Sequence, residues 1–148
     1  MLKDAFSDVY MKFKLHFYQK VFERLLDREA TLTTVETFCM EVIYALGTPT
    51  VAEFARMANL SSPNAAYKVG NLVRKGYLKK TRSGNDKREY HLEVTEKYLD
   101  YYNISFNYMN VVMERIQERF TPEEISILEK ILSVTAGELM PEIELKKN

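Results

Sequence analysis

The sequence has 148 residues, of which 46% are hydrophobic and 28% are charged, and its formal net charge is zero. These values fit one folded domain and exclude disordered, collagen-like and disulfide-rich chains. No apolar run approaches the roughly 20 residues of a membrane span, and charges interrupt the N-terminus too often for a signal peptide. Since Cys39 is the single cysteine, we expect a soluble, cytoplasmic protein with no membrane partner.

The first predicted helix, from Ala5 to about Asp27, carries apolar residues on two faces. One stripe contains Phe6, Tyr10, Phe13, Phe17 and Val21, and the other contains Met11, Leu15, Tyr18, Phe22 and Leu25. A helix needs only one apolar face to pack on its own core. The double stripe indicates contact with a second subunit, or else a helix sandwiched within one domain.

Two capping boxes predict the starts of the next two helices. Thr33 with Glu36 begins a helix that stops at Gly47, and Thr50 with Glu53 begins a short one that reaches about Asn59. In such a box, the threonine and the glutamate each satisfy a backbone N–H group that the helix leaves unpaired.

The following segment is typical of a helix-turn-helix and a β-hairpin. After a tight link, Pro63 suits the first turn of a helix that Gly76 ends. Apolar residues of the two short helices stand at contact spacings: Ala55, Ala58, Leu60, Ala65, Val69 and Leu72. Residues 77–82 and 89–94 then read as strands around a turn at 83–86. The pattern predicts a winged helix-turn-helix.

Two further helices are predicted after this hairpin. Thr95 can cap a long one that reaches about Phe120, with Tyr98, Tyr102, Met109, Val112 and Ile116 along one side. Thr121 and Glu124 form a third capping box, and the last helix carries Ile125, Leu128, Ile131 and Leu132. From Pro141 onward the chain is polar, and we expect it to fray.

The zero net charge hides a segregation of charge along the chain. Eight basic residues lie between Ser62 and His91: Lys68, Arg74, Lys75, Lys79, Lys80, Arg82, Lys87 and Arg88. Only Asp86 and Glu89 oppose them there, so the rest of the chain is acidic. Such a segment indicates a surface that faces a polyanion, although a solvated charged hairpin would have the same composition.

With these elements in place, the sequence resembles the MarR family of transcriptional regulators over about residues 48–95. The resemblance rests on TVAEFARMANLSSPNAAYKVGNLVRKGYLKK followed by DKREYHLEVT, with Leu72 and Gly76 before the first strand and Asp86 and Arg88 in the wing. It implies a mainly α fold with a small β-hairpin wing (α+β), in which flanking helices form a dimer. Residues 31–94 would be the DNA-binding lobe, and 1–30 and 95–148 the dimerisation region.

The same resemblance implies a homodimer that binds double-stranded DNA at a palindromic operator and loses affinity when a small molecule binds. The many aromatic residues would suit a flat phenolic or other apolar effector, although they are equally typical of a plain core. The sequence departs from the family at Lys68, where an apolar residue is common. A second departure, Gly70, lies inside the recognition helix, where the close approach of a neighbouring helix or a phosphate would account for it.

Candidate DNA-binding residues can be chosen by the chemical groups and the width of each DNA groove. On the recognition helix we expect Ser62, Asn64, Tyr67, Lys68 and Asn71 to face outward, with Asn64 suited to adenine and Ser62 to phosphate. In the wing, Arg88 suits a narrow minor groove. Lys79, Lys80, Arg82 and Lys87 suit phosphates, and the resemblance implies that Asp86 orients an arginine. Each residue could instead be an ordinary surface residue.

No arrangement of residues indicates catalysis, a cofactor or a metal. There is no phosphate-binding glycine loop and no zinc motif, and His16 and His91 lie in different elements. Cys39 lies on an apolar helix face and favours packing over redox chemistry. The sequence therefore predicts a DNA-binding regulator, most simply a repressor, and not an enzyme. The alternative is a winged-helix protein-interaction module, which would not need the segregated charge.

Overall fold

A computed structural model of the chain describes residues 1–26, 32–82 and 89–145, without the side chains of residues 25 and 101–105. In chain order these ranges contain α1 (Leu2–Leu25), α2 (Thr34–Ala45), α3 (Val51–Met57), α4 (Ser62–Arg74), β1 (Leu78–Arg82), β2 (Tyr90–Val94), α5 (Glu96–Arg119) and α6 (Pro122–Glu138). The predicted mainly α fold with one β-hairpin, a winged helix-turn-helix, is confirmed.

All three predicted capping boxes form. The hydroxyl groups of Thr33, Thr50 and Thr121 accept hydrogen bonds from the backbone N–H groups of Glu36, Glu53 and Glu124. Each glutamate carboxylate in turn accepts from the N–H group of its threonine. The N-terminus of each of these helices is determined by two residues only three positions apart, and the sequence therefore predicts it well.

The helix ends differ from the prediction in several details, and α1 begins at Leu2 and not at Ala5. The third helix ends at Met57 and not near Asn59, because Asn59 has a φ of 53° and leaves the helical region. Thr95 is the N-cap residue of α5, but its side chain does not cap that helix. Its hydroxyl donates instead to the carbonyl oxygen of Gly76, at 2.6 Å.

The buried side chains of the hydrophobic core belong to residues within the range 32–98 of the sequence. Its buried side chains come from α2, α3, α4, both strands and the start of α5: Leu32, Cys39, Met40, Ile43, Phe54, Ala55, Ala65, Val69, Leu72, Tyr77, Leu78, Leu92 and Tyr98. The buried alanines allow α3 and α4 to pack closely. Tyr98 anchors the first turn of α5 in this core, so the long helix is fixed to the lobe at one end.

The strands pair in antiparallel register, with Leu78 opposite Val94 and Arg82 opposite Tyr90. Leu78 and Leu92 point into the core, while the rest of β1 is exposed. The N–H group of Leu92 donates to the carbonyl oxygen of Pro49 at 2.8 Å, and Thr50 forms an isolated bridge with His91. The hairpin is therefore tied to the segment before α3 as well as to α4.

The terminal helices bury little within the chain. On α1, Phe13 and His16 contact Tyr108 of α5, with ring centroids 5.6 and 3.7 Å apart. No described side chain of α1 is fully buried, and none of α6 is. Both apolar stripes of α1 therefore keep exposed side chains within the described part of the chain. Among the described helices, we find none that is both long and apolar enough to span a membrane.

Candidate nucleic-acid interface

Helix α4 exposes polar side chains on the face away from the core. Ala65, Val69 and Leu72 are buried, whereas Asn64 and Tyr67 are exposed, and 69% of the surface of Tyr67 is accessible. An aromatic residue that lies this far outside a core contributes little to folding in its own chain. The exposed amide and phenol groups are of the kind that can reach base edges in a major groove.

The N-terminus of α4 offers fewer free donors than the sequence predicts. Ser61, and not Ser62, is the N-cap residue, and its hydroxyl accepts from the N–H group of Asn64 at 3.3 Å. The N–H group of Ala65 donates to the Ser61 carbonyl oxygen, and Pro63 has no N–H group. A phosphate at this end would therefore meet the exposed Ser62 hydroxyl and the backbone N–H group of Ser62.

Lys68 and Asn71 differ from the fully outward position predicted for them. Lys68 is half-buried on the flank of the core-facing side, close enough to Cys39 for its charge to act on the thiol. Burial nevertheless raises the pKa of Cys39, which favours the protonated thiol as part of the core. Asn71 is also half-buried, and its side-chain oxygen accepts a hydrogen bond from the Arg74 guanidinium group.

The cations of β1 divide between two faces of the hairpin. Lys80 and Arg82 share a face with Tyr90, which receives a 3.1 Å hydrogen bond from Arg82 Nε. The Lys80 and Arg82 charges lie 5.6 and 5.4 Å from the centre of the tyrosine ring. Tyr90 thus holds two cations together by contacts that leave their charge uncancelled.

Lys79 has a different electrostatic setting. It is exposed on the opposite face of β1, directly across from the acidic Glu93 in the strand register. Cross-strand neighbours of opposite charge attract each other, so the field of Lys79 is partly cancelled. The remaining wing residues, Asp86, Lys87 and Arg88, lie outside the described residues.

The C-terminus of α4 is held by groups from α5. Lys97 Nζ donates to the carbonyl oxygen of Lys75 at 2.8 Å and lies over the Tyr77 ring at 4.6 Å. Thr95 bonds the next carbonyl oxygen, that of Gly76, whose φ of 83° ends the helix. These bonds satisfy carbonyl groups that a helix terminus otherwise leaves unpaired. The start of α5 therefore fixes the position of α4.

Glu36 secures the same end of α4 to α2. Its carboxylate accepts from Lys75 Nζ at 2.7 Å and from the Thr33 N–H group at 3.0 Å. Burial alone would raise the pKa of Glu36, but the hydrogen bonds from Lys75 and Thr33, together with the positive charge of Lys75, hold it below its usual value of 4.5.

Three contributors to this region were not predicted from the sequence: Tyr90, Lys97 and Glu36. The strand register could have identified Tyr90, since it pairs with Arg82. Glu36 was interpreted only as a capping residue, and its bond to Lys75 spans a sequence separation of 39. No local pattern signals a contact of that kind.

A separate apolar cleft lies between α1 and α2. It has a volume of about 260 Å³, and its walls contain no charged side chain: Phe17, Tyr18, Val21, Phe22, Thr34, Thr37 and Phe38. The Thr37 hydroxyl already donates to the Thr33 carbonyl oxygen, at 2.9 Å. The cleft can therefore receive an apolar group with little loss of hydrogen bonds.

Glu41 lies one helical turn beyond Thr37 on the same side of α2. Its carboxylate is half-buried and accepts a 3.3 Å hydrogen bond from the Tyr98 hydroxyl group. Burial raises the pKa of Glu41 to about 7, although the tyrosine bond acts in the opposite direction. Among the described residues, no three His, Cys, Asp or Glu side chains are grouped to hold a metal ion.

Comparison with known proteins identifies a family match for this lobe. Residues 32–90 match the model of the MarR family. No curated protein matches the sequence significantly. Among solved structures, the fold is similar to that of Streptococcus pneumoniae FabT in complex with DNA, with a TM-score of 0.62, 20% identity, and 96% of this chain and 97% of that chain covered.

Two other solved structures are similar to this chain over nearly its whole length. The transcriptional regulator Tm0710 of Thermotoga maritima has a TM-score of 0.61 at 18% identity, with 95% of each chain covered. A mutant of MepR from a multidrug-resistant S. aureus clinical isolate has a TM-score of 0.66 at 14% identity, with 95% of this chain and 98% of that chain covered. Residues 32–90, which contain most of the winged-helix lobe, therefore match the MarR family, and the fold of nearly the whole chain is similar to that of these solved structures.

Proposed function

We propose that this protein is a homodimeric regulator that binds a palindromic operator in double-stranded DNA and represses transcription until a small molecule releases it. The observation that carries the proposal is the pairing of an exposed polar face on α4 with the uncancelled cations of Lys80 and Arg82 on β1. A helix of this kind suits the major groove, and a basic hairpin suits the adjacent backbone or minor groove. FabT, which has the same fold, was crystallised with DNA.

Within this proposal, residues 31–94 form the DNA-binding lobe, and its side chains have different roles in DNA binding. Asn64 and Tyr67 contact bases, while Lys68 and Asn71 act at the edge of that contact. Ser62, Lys79, Lys80, Arg82 and Lys87 bind phosphates. Arg88 enters the minor groove, and Asp86 orients it. Tyr90 and Lys97 also belong to the proposed interface, because Tyr90 positions the cations of β1 and Lys97 positions α4.

Dimerisation through residues 1–30 and 95–148 is supported by the apolar surface of the terminal helices. On α6, Ile127, Leu128, Ile131 and Leu132 are between 37% and 60% exposed. On α1, large apolar side chains from both stripes are exposed as well: Phe6, Tyr10, Met11, Leu15, Tyr18 and Phe22. Apolar surface on this scale marks a binding site in a soluble protein, and a second copy of the chain is the partner proposed for it.

The α1–α2 cleft is the proposed effector site. It lies between a helix of the dimerisation region and α2, whose Glu36 is bonded to the end of α4. A ligand that separates α1 from α2 would therefore act on a helix that positions the recognition helix. Such coupling requires the ligand to bind the DNA-free arrangement more tightly than the DNA-bound one.

The DNA-binding proposal is tested by selecting binding sites from random duplexes and measuring affinity as a function of salt. We expect an inverted repeat to be selected, with half-sites one helical turn apart, roughly 34 Å. With about 6–10 phosphate contacts, affinity should fall on the order of 10³–10⁵ between about 50 and 200 mM salt. A flat salt response without a selected sequence would favour the protein-interaction module instead.

The dimer is tested by sedimentation of the full chain and of an Ile131→Asp variant. We expect the unchanged chain to sediment as a dimer at micromolar concentration and the variant to dissociate, because a charge in an apolar interface is costly. Asp in place of the exposed Glu129 is the matched control and should remain dimeric. A folded monomer of the unchanged chain would contradict the proposal.

A further inference from the structure

The side of α2 that lines the cleft also carries an acidic residue, Glu41. Thr34, Thr37 and Phe38 line the cleft, and Glu41 follows Thr37 by four residues. At about 100° per residue these four positions share one side of the helix, and Glu41 lies roughly 6 Å further along its axis. Glu41 is therefore the next position on this side of α2, one turn beyond the residues that line a cleft without charged side chains.

One aromatic residue, Tyr98, contacts this carboxyl group directly and belongs to a cluster of rings. Tyr98 donates its hydroxyl group to Glu41 Oε1, and the Tyr44 ring packs against Tyr98 and Phe106 with centroid separations of 6.1 and 6.2 Å. Together with Phe17 at the wall of the cleft, these rings come from α1, α2 and α5. Aromatic faces attract cations and do not attract anions.

Glu41 has no cationic partner in the part of the chain that the structure describes. The ion pairs seen there involve Asp4, Glu23 and Glu36, and the only hydrogen bond to Glu41 comes from a neutral phenol. A partly desolvated carboxylate is unfavourable unless a positive charge or several donors compensate it. Burial raises the pKa of Glu41, and among the described groups the Tyr98 hydroxyl offsets this effect only in part.

We propose that the cleft between α1 and α2 binds an organic monocation, an amine with an apolar body, and that its ammonium group pairs with the Glu41 carboxylate. The body of the ligand occupies the uncharged cleft, and the head group meets Glu41 and the Tyr98 ring. An apolar pocket with one charged group at its end is the general form of a small-molecule site. The inference rests on the proposed function only in making this ligand the effector, and it replaces the phenolic ligand expected from the aromatic content.

Three probes with the same skeleton test the head group directly: 4-phenylbutylamine, 4-phenylbutanol and 4-phenylbutanoate. Binding to the full chain is measured by calorimetry at pH 8, without DNA. We expect the amine to bind on the order of tenfold more tightly than the alcohol, and the carboxylate to bind most weakly. Equal affinities, a preference for the carboxylate, or no amine binding at millimolar concentration would overturn the proposal.

A Glu41→Gln variant then assigns the preference to one residue. It should bind the alcohol as the unchanged chain does, which shows that the cleft is intact, and its affinity for the amine should fall to that of the alcohol. The exposed Glu118→Gln variant is the matched control and should retain the preference. An amine preference that survives Glu41→Gln would overturn the assignment, whether or not the variant is less stable.

DNA measurements separate this inference from the proposed function. If the amine binds through Glu41 and weakens operator binding, both stand. If it binds in the same way and leaves operator affinity unchanged, the cation site stands and its role as the effector site is wrong. If the chain binds no DNA at all, the regulator proposal is wrong, while the three-probe comparison still decides the ligand class.

Discussion

Lys75 Nζ lies 2.7 Å from Glu36 Oε2, although the two residues are 39 positions apart. The bond joins the C-terminal end of α4 to the first turn of α2, where the same carboxylate also closes the Thr33 capping box. One carboxyl group therefore fixes the start of one helix and the end of another. A change at Glu36 alters both.

Removal of either member of this pair should destabilise the lobe. We expect Glu36→Gln and Lys75→Met to lower the free energy of unfolding, with a coupling of roughly 0.5–2 kcal/mol in a double-mutant cycle, because the pair is only partly exposed. Urea titration at fixed protein concentration measures it. Lys20 and Glu23 form an exposed pair, and their cycle should show a smaller coupling. Equal coupling in the two cycles would contradict a structural role for the partly buried Glu36–Lys75 pair.

The pH dependence of stability should have two separate regions. The pKa of Glu36 is lowered in the folded protein, so its contribution is present above pH 4.5 and is lost as the pH falls below that value. The pKa of Glu41 is raised from 4.5 to about 7, so its contribution is present below pH 4.5 and is lost as the pH rises to about 7.

Glu41→Gln should abolish the second region. We expect the variant to be more stable than the unchanged chain at pH 8, by on the order of 1–3 kcal/mol, because glutamine needs no proton to be uncharged. Melting temperatures of the two proteins between pH 4.5 and pH 8 measure the difference. A variant that is less stable than the parent at pH 8 would show that the carboxylate is compensated within the chain.

Gly70→Ala should stabilise the protein. A Cβ atom at Gly70 would meet no described atom within 4 Å, which excludes a close neighbouring helix within the described chain as the reason for this glycine. Alanine is favoured over glycine inside a helix by roughly 0.5–1 kcal/mol. We expect that gain in the free energy of unfolding, with operator affinity unchanged. A loss of affinity in the stabilised variant would instead place a DNA phosphate against Gly70.

The wing can be tested by three substitutions, two that remove a positive charge and one that removes a negative charge. If Arg88 enters the minor groove, Arg88→Ala should cost ~1–3 kcal/mol more on the operator than on random DNA, whereas Lys80→Ala should weaken both about equally. Asp86→Ala should resemble a milder Arg88 variant, even though it removes a negative charge. Gel-shift titrations on both duplexes measure these effects. Tighter operator binding by Asp86→Ala would contradict an orienting role.

Local patterns predicted most of the fold. Thr33, Thr50 and Thr121 begin helices because their partners lie three residues away, and Ala65, Val69 and Leu72 are buried as their helical spacing indicates. The prediction was wrong where a group distant in the sequence competes for the hydrogen bond of a side chain. Thr95 bonds the Gly76 carbonyl oxygen and not its own helix, since that oxygen lies within reach only in the folded chain.

The candidate site was less predictable for the same reason. Lys68 was expected to face outward, but its position beside the buried stripe of α4 brings it to Cys39. Glu41 was not predicted as a site residue, because its surroundings depend on Tyr98, which lies 57 positions away in the sequence. Spacing within one helix predicts the direction in which a side chain points, but it does not predict which residues of other elements that side chain contacts.

Because α6 buries no side chain within its own chain, its apolar face depends on a second copy under the proposed dimer. The association of two chains follows mass action, so the protection of this helix should increase with protein concentration while the lobe's core remains folded. At low copy number the unpaired helices would open first and be the first segments cut by proteases. The abundance of the protein and its lifetime in the cell would then be linked through this one helix.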